Sequence, residues 1–327
     1  MIKLRDIGIE LANKGDYCTA MYFFKKAYDE GDPEALNDIA ITYRFMGDYK
    51  STIECLLDSD NKEDPRALCV LAELYENGIG VDADKEKALQ LYEKAMKSSF
   101  GPAFYKAALL YLEDEENKDN EKKAFEILKK GVLCEDEKTP YNDFYLAKCY
   151  MSGYGTKKDS YLAFHYFNMA REGGVGEASY CLGGCYLFGI ECEKDVSKAI
   201  DLIYESALSG ITDAYYDLYD IYWKGEVIKP NKDIALYFLC SGIDKNNPKC
   251  HIAYAYINLN GSIGECANID LARESILEFL KNKDQVDEEA MSYYEMIKVD
   301  YKELFNWEAI ESNPYQYNNG IDICNLA

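Results

Sequence analysis

Apolar residues recur along this chain with the spacing of amphipathic helices, and the helical stretches come in pairs. Residues 67–103, ALCVLAELYENGIGVDADKEKALQLYEKAMKSSFGPA, show the unit: two helical patterns parted by a glycine turn. A small residue stands at Gly8, Ala40, Ala72, Ala108, Ala147, Gly183 and Ala255, with Tyr219 in the remaining slot; the spacings are 32, 32, 36, 39, 36, 36 and 36. Three residues later comes a bulky one, Leu11, Tyr43, Tyr75, Tyr111, Tyr150, Tyr186 and Tyr222, with Asn258 the exception. A second small series runs Ala20, Thr52, Ala88, Ala124, Ala163, Ala199, Ala235 and Ala272. A third follows seven residues on, at Ala27, Ser59, Ala95, Gly131, Ala170, Ser206 and Gly242, until Phe279 breaks it. Four series in register over eight units predict a solenoid of helix pairs. Small residues let an A helix and an antiparallel B helix approach closely, while the bulky positions fill the groove between them. Neither pair buries its apolar stripe alone, so the units stack into one continuous core.

The first two units turn tightly, through Gly15-Asp16-Tyr17 and Gly47-Asp48-Tyr49. They resemble the tetratricopeptide repeat, although their period falls two residues short of its usual one. From the third unit the turn lengthens to Asn77-Gly78-Ile79-Gly80-Val81, followed by Asp82 and Lys87-Ala88. Gly153-Tyr154-Gly155 with Asp159 and Ala163, Phe188-Gly189-Ile190 with Asp195 and Ala199, and Trp223-Lys224-Gly225 with Asn231 and Ala235 repeat it. These units resemble the Sel-one-like repeat, a longer-looped relative. The resemblance covers residues 1–280 and implies an all-α, right-handed α-solenoid of about eight antiparallel helix pairs. It divides the chain into tetratricopeptide-like repeats over 1–64, Sel-one-like repeats over 65–283, capping helices over 284–312 and a tail over 313–327. A joint is expected near 113–140, where Glu113-Asp114-Glu115-Glu116 replaces the turn glycine and a polar connection, Glu135 to Pro140, follows. The cap is expected as two helices, Asp287–Lys298 and Tyr301–Glu311, with Tyr293, Tyr294, Ile297, Leu304, Phe305 and Ile310 on apolar faces, ended by Asn313-Pro314.

Composition narrows the chemistry. A hydrophobic content of 48% argues against disorder. No apolar run is long enough for a transmembrane helix. The opening MIKLRDIGIELANKGDY lacks a signal-peptide core, so a cytoplasmic protein with reduced thiols is expected. The net charge of −23 argues against nucleic acid and suits either solubility or a basic or neutral protein partner. The two histidines, His165 and His251, have no acid or cysteine placed beside them by spacing. Cys181, Cys185 and Cys192 have a metal-like spacing, but Cys149 and Cys185 occupy the same repeat position, which reads as core. Gly78-Ile79-Gly80 joins two helices and follows no strand, so it is no nucleotide fingerprint. No catalytic residue, metal or cofactor is therefore expected. The cysteine-rich branch of the Sel-one-like family places a cysteine just after the third small position; here those sites hold Tyr28, Met96, Arg171 and Ala207.

Sel-one-like proteins generally act as adaptors, and related repeats bind peptides on A-helix positions facing the concave side. Those positions here are Tyr105, Phe144, Lys148, Met151, Tyr180, Phe188, Tyr216, Asp220, Trp223, Lys224 and Tyr256, preceded by Ile9, Asn13, Asn37, Arg44 and Glu73. The set turns aromatic from the fourth unit, and Tyr and Trp are the residues protein interfaces favour. The same rings also suit burial between repeats. The cluster Tyr180, Tyr216, Asp220, Trp223 and Lys224 stands out. The resemblance thus implies a non-enzymatic scaffold holding a protein segment in its concave groove, away from membrane and nucleic acid. Two alternatives stay open: a self-assembling or autoinhibited regulatory subunit, such as a homo-oligomer or one whose tail fills the groove, and an enzyme or small-ligand binder whose site the sequence does not display.

Overall fold

The B helices begin where the sequence supplies an Asp or Asn cap. The computed structural model describes residues 3–58, 63–113, 117–134, 138–261, 267–283, 286–305 and 307–312, and their regular elements are all helical. They gather into two compact units, residues 1–175 and 176–327. The first holds α1 (Leu4–Asn13), α2 (Tyr17–Asp29), α3 (Glu34–Phe45), α4 (Tyr49–Leu56), α5 (Pro65–Asn77), α6 (Lys85–Lys97), α7 (Gly101–Leu112), α8 (Lys118–Val132), α9 (Pro140–Ser152) and α10 (Ser160–Glu172). The second holds α11 (Gly176–Phe188), α12 (Val196–Leu208), α13 (Asp213–Lys224), α14 (Lys232–Asp244), α15 (Pro248–Leu259), α16 (Ile269–Lys281), α17 (Glu288–Asp300) and α18 (Trp307–Ser312). Through α10 in the first unit and α16 in the second, an odd-numbered A helix packs on the B helix after it, and α2, α4, α6, α8, α12 and α14 pack on the next A helix. The pairs number five in the first unit and three in the second, so each is a stretch of all-α solenoid. The described residues of the acidic segment, Glu113, 117–134 and 138–140, lie inside the first unit, where α7 packs on both α8 and α9. Residues 114–116 and 135–137, Ser59, Gly264 and the tail 313–327 lie outside the described residues.

One backbone bond explains how short and long turns share a register. The carbonyl of the bulky residue in helix A accepts the N–H of the residue that caps helix B. The pairs are Asp16 to Leu11 (3.0 Å), Asp48 to Tyr43 (2.9 Å), Asp84 to Tyr75 (2.8 Å), Asp159 to Tyr150 (2.9 Å), Asp195 to Tyr186 (3.0 Å), Asn231 to Tyr222 (2.9 Å) and Asn268 to Asn258 (2.9 Å). The same Asp or Asn side chain then accepts the N–H three residues on, at Thr19, Ser51, Lys87, Leu162, Lys198, Ile234 and Leu271. Both ends of the turn are fixed while its length stays free. Asn258 lacks the bulky ring yet keeps the bond, because the acceptor is backbone.

The two glycines of the long turn do different work. Gly153 ends α9 in the left-handed conformation (φ +83°). Gly155, also left-handed at φ +66°, lies against α8, where an added Cβ would sit 2.3 Å from the Glu121 carbonyl oxygen. The small positions are explained by contact as well: a Cβ on Gly183 would meet Ile203 of α12 at 2.6 Å. Phe279, which breaks the third small series, is fully buried and stacks on Tyr294 of α17 with ring centroids 5.4 Å apart. The end of the stack needs bulk there rather than close approach.

The C-terminal cap differs from expectation in its second half. α17 follows the anticipated helix, capped by Asp287. Tyr301–Phe305, expected to be helical, instead form turns, and the last helix begins only at Trp307. The turns let Phe305 and Trp307 fold together, edge to face at 5.1 Å, and bring Trp307 against Tyr294. A straight helix would spread these rings around its circumference.

Candidate functional site

The A-helix surface differs in kind between the two units. In the first, charges are already spent on one another. Glu73 of α5 accepts from Arg44 of α3 at 2.9 Å and pairs with Lys106 of α7 at 2.6 Å. Tyr105 is half-buried between Tyr141 and Tyr145, at 5.3 and 5.7 Å. Phe144 is only 5% exposed and packs against Phe167 of α10, so its ring belongs to the core. Lys148 is exposed, with its ammonium 5.8 Å from the Phe144 ring and 5.9 Å from that of Tyr145. It borders a cavity of about 210 Å³ with Leu109, Leu112, Glu121 and Tyr154. Met151 is half-buried near the end of α9.

In the second unit the equivalent positions leave an open groove. Tyr180, Cys181, Gly184, Leu187 and Phe188 from α11 face Asp217, Asp220 and Ile221 from α13, with Ile203 of α12 beneath, around a cavity of about 400 Å³. The Tyr180 hydroxyl donates to Asp217 at 2.5 Å and bridges the two A helices. Phe188, 74% exposed, stands at the end of α11. Along α13, Tyr216, Tyr219 and Trp223 form a row with ring centroids 5.8 and 5.6 Å apart. Lys249 of α15 lies over Tyr216 and Lys232 of α14 over Trp223. Asp220 and Lys224 pair at 2.8 Å. Tyr256 on α15 meets Tyr293 of α17 edge-on at 5.6 Å, and Lys249 pairs with Asp287 at 2.5 Å, so α17 takes the place of a further A helix. The structure thus brings Tyr180, Phe188 and Asp220 together at one groove, with Tyr216, Trp223, Lys224 and Tyr256 beside it.

Three members of this surface escaped the sequence reading. Asp217 lies in the same stripe as Asp213 and Asp220, and that helical spacing was the available signal. Tyr293 was placed on an apolar cap face, where only its contact with Tyr256 puts it beside this surface. Gly184 follows a glycine the repeat explains, yet a Cβ on Gly184 itself would meet nothing within 4 Å. A glycine inside a helix costs about 0.5–1 kcal/mol relative to alanine. Packing gives no reason to bear that cost here. Burial raises the Asp217 carboxyl above the usual carboxylate range, a trend that Asp213 and Asp220 reinforce and that Tyr180 and Lys249 oppose.

Titratable groups elsewhere do not converge. His251 is buried, burial lowers its pKa, and neither ring nitrogen has a hydrogen-bond partner among the described residues. His165 is exposed against the Tyr166 ring. Among the described residues no three His, Cys, Asp or Glu side chains are grouped to hold a metal. The Cys192 thiol donates to the Cys185 carbonyl at 3.5 Å. Burial pushes Cys69 and Cys149 up to about 12 and Cys185 up to about 11. Brief alkylation of the native protein near neutral pH is therefore expected to mark the exposed Cys18 and Cys240 while sparing these three, as peptide mass mapping would read.

Five segments, residues 14–32, 65–98, 143–175, 176–211 and 212–247, match the Sel1 repeat. The chain carries Sel1 repeats. The long-turned Sel1 repeats α5–α6, α9–α10, α11–α12 and α13–α14 are matched nearly whole. Residues 33–64 and 99–142, with the second short turn and the acidic turn, fall outside the matched segments. The fold is similar to that of a Sel1 repeat protein from Oxalobacter formigenes, at 22% identity over 73% of this chain and 96% of that one, with a TM-score of 0.65. Yeast Tom70 is similar at 13% identity over 91% of this chain and 62% of that one, with a TM-score of 0.51. Likeness at these identities speaks for the fold alone. A search of curated proteins finds no match. The Sel1 repeat is a non-catalytic scaffold fold, and no described helix is long and apolar enough to cross a membrane.

Proposed function

We propose that this Sel1 repeat protein is a non-enzymatic adaptor that holds an extended segment of a partner protein on its A-helix surface, anchored in the second unit. Proteins of this fold generally serve as adaptors. The observation that carries the reading is the groove between α11 and α13, kept open by a helical glycine that packing does not require. Beside it Tyr216 and Trp223 pack against the core of the unit and stay half-buried. Rings so placed offer large contact area at small entropic cost. The first unit, with Arg44, Glu73 and Lys106 already paired, has less to offer.

The Tyr216→Ala/Trp223→Ala protein tests this. Affinity purification from the native cell is expected to recover partners with about tenfold lower affinity or worse, since two interface aromatics are lost. Recovery of the same partners at wild-type levels would remove the assignment.

A further inference from the structure

We propose that the groove between α11 and α13 receives a lysine or arginine side chain of the partner segment, its stem on the apolar floor and its cationic head at Asp217 and Asp220. The inference rests on the A-helix surface being the binding face. Gly184, Leu187, Ile203 and Ile221 make the floor apolar. Asp217 and Asp220 are three residues apart on one helix and so share a face. Among the described residues no lysine or arginine lines the cavity.

The two carboxylates are not equally engaged. Asp217 accepts the Tyr180 hydroxyl and forms no ion pair with a described residue. A carboxylate offers about four acceptor sites, so one donor leaves it under-satisfied. Asp220 is paired with Lys224, but both side chains are partly exposed, and such a pair is weak enough to exchange. Lys249 is committed to Asp287.

A long basic side chain fits this arrangement because it covers apolar surface while keeping its charge at the rim. A neutral occupant would leave Asp217 further desolvated with no counter-charge, and an acidic one would be repelled. The net charge of −23 favours approach of a basic segment over any other.

The test is selection of short random linear peptides on the full-length protein. Selected peptides are expected to carry Lys or Arg beside an apolar residue. Replacing that basic residue by norleucine should weaken binding about tenfold or more, the scale of a lost charged hydrogen bond. On Asp217→Asn/Asp220→Asn protein the same replacement should cost little. Peptides without a basic residue, or a norleucine penalty absent on the wild type, overturn the inference without recourse to any variant. An equal penalty on both proteins, with the variant's helical signal intact, does the same. Gly184→Leu separates this from the underlying reading. Peptides that lose binding to Gly184→Leu but ignore charge overturn the inference alone. Peptides that bind Gly184→Leu as wild type, or a selection that yields none, overturn the binding face itself.

Discussion

Gly155→Val is expected to cost the first unit about 3 kcal/mol or more, read as a lower denaturation midpoint. Two penalties combine. A β-branched residue in the left-handed region costs at least about 1–2 kcal/mol. The new Cβ would also sit 2.3 Å from the Glu121 carbonyl oxygen and 2.9 Å from the Lys122 Cα, both backbone, so the turn must lift off α8. Overpacking of that kind costs about 1–3 kcal/mol. Lifting would break the bond from the Gly155 N–H to the Glu121 carboxylate, 3.3 Å long, and Glu121 is only 4% exposed. Gly174→Ala isolates the first penalty, because Gly174 is left-handed at φ +89° with nothing within 4 Å of its added Cβ. It should cost about 1–2 kcal/mol. Equal losses in the two variants would show that the turn does not press on α8.

Asn247→Ala should destabilise the second unit by about 2–3 kcal/mol. Asn247 is 1% exposed and serves two neighbours at once. Its Oδ1 accepts from the Cys250 N–H at 3.0 Å and caps α15. Its Nδ2 donates to Asp213 at 2.7 Å and to Thr212 at 3.3 Å, tying α15 to the start of α13. Losing a cap costs about 1 kcal/mol and losing a bond to a charged acceptor about 1.5–3 kcal/mol, with overlap between them. Asn247→Asp keeps the cap but sets an oxygen against Asp213. It should recover part of the loss, and more on acidification, when one carboxylate of the facing pair takes a proton. Chemical denaturation of the three proteins at two pH values checks this.

The repeat was legible because its positions are set by contact. Ala88, Ala199 and Gly183 recur where one helix meets another, and Asp or Asn recurs where helix B needs a cap. Periodicity reports which face a residue occupies but not how deep it lies. Phe144 and Tyr180 hold equivalent slots, yet Phe144 sinks against Phe167 while Tyr180 reaches Asp217 across the groove. Leu304, Phe305 and Ile310 carry helical spacing, but the ring contacts of Trp307 make a turn the better packing there. Gly184 was illegible because an empty space leaves no mark in a sequence. Its meaning comes from what a side chain would fail to touch.

That empty space also offers the most direct test of the central claim, that the α11–α13 groove is the binding surface. Leucine at position 184 suits a helix better than glycine by about 1 kcal/mol, and its side chain would project into the groove without meeting a neighbour at Cβ. The measurement is partner recovery by Gly184→Leu protein whose thermal midpoint is determined in parallel. The account predicts an unchanged or raised midpoint with the partner lost. A folded Gly184→Leu protein that retains its partner at the wild-type level would contradict it.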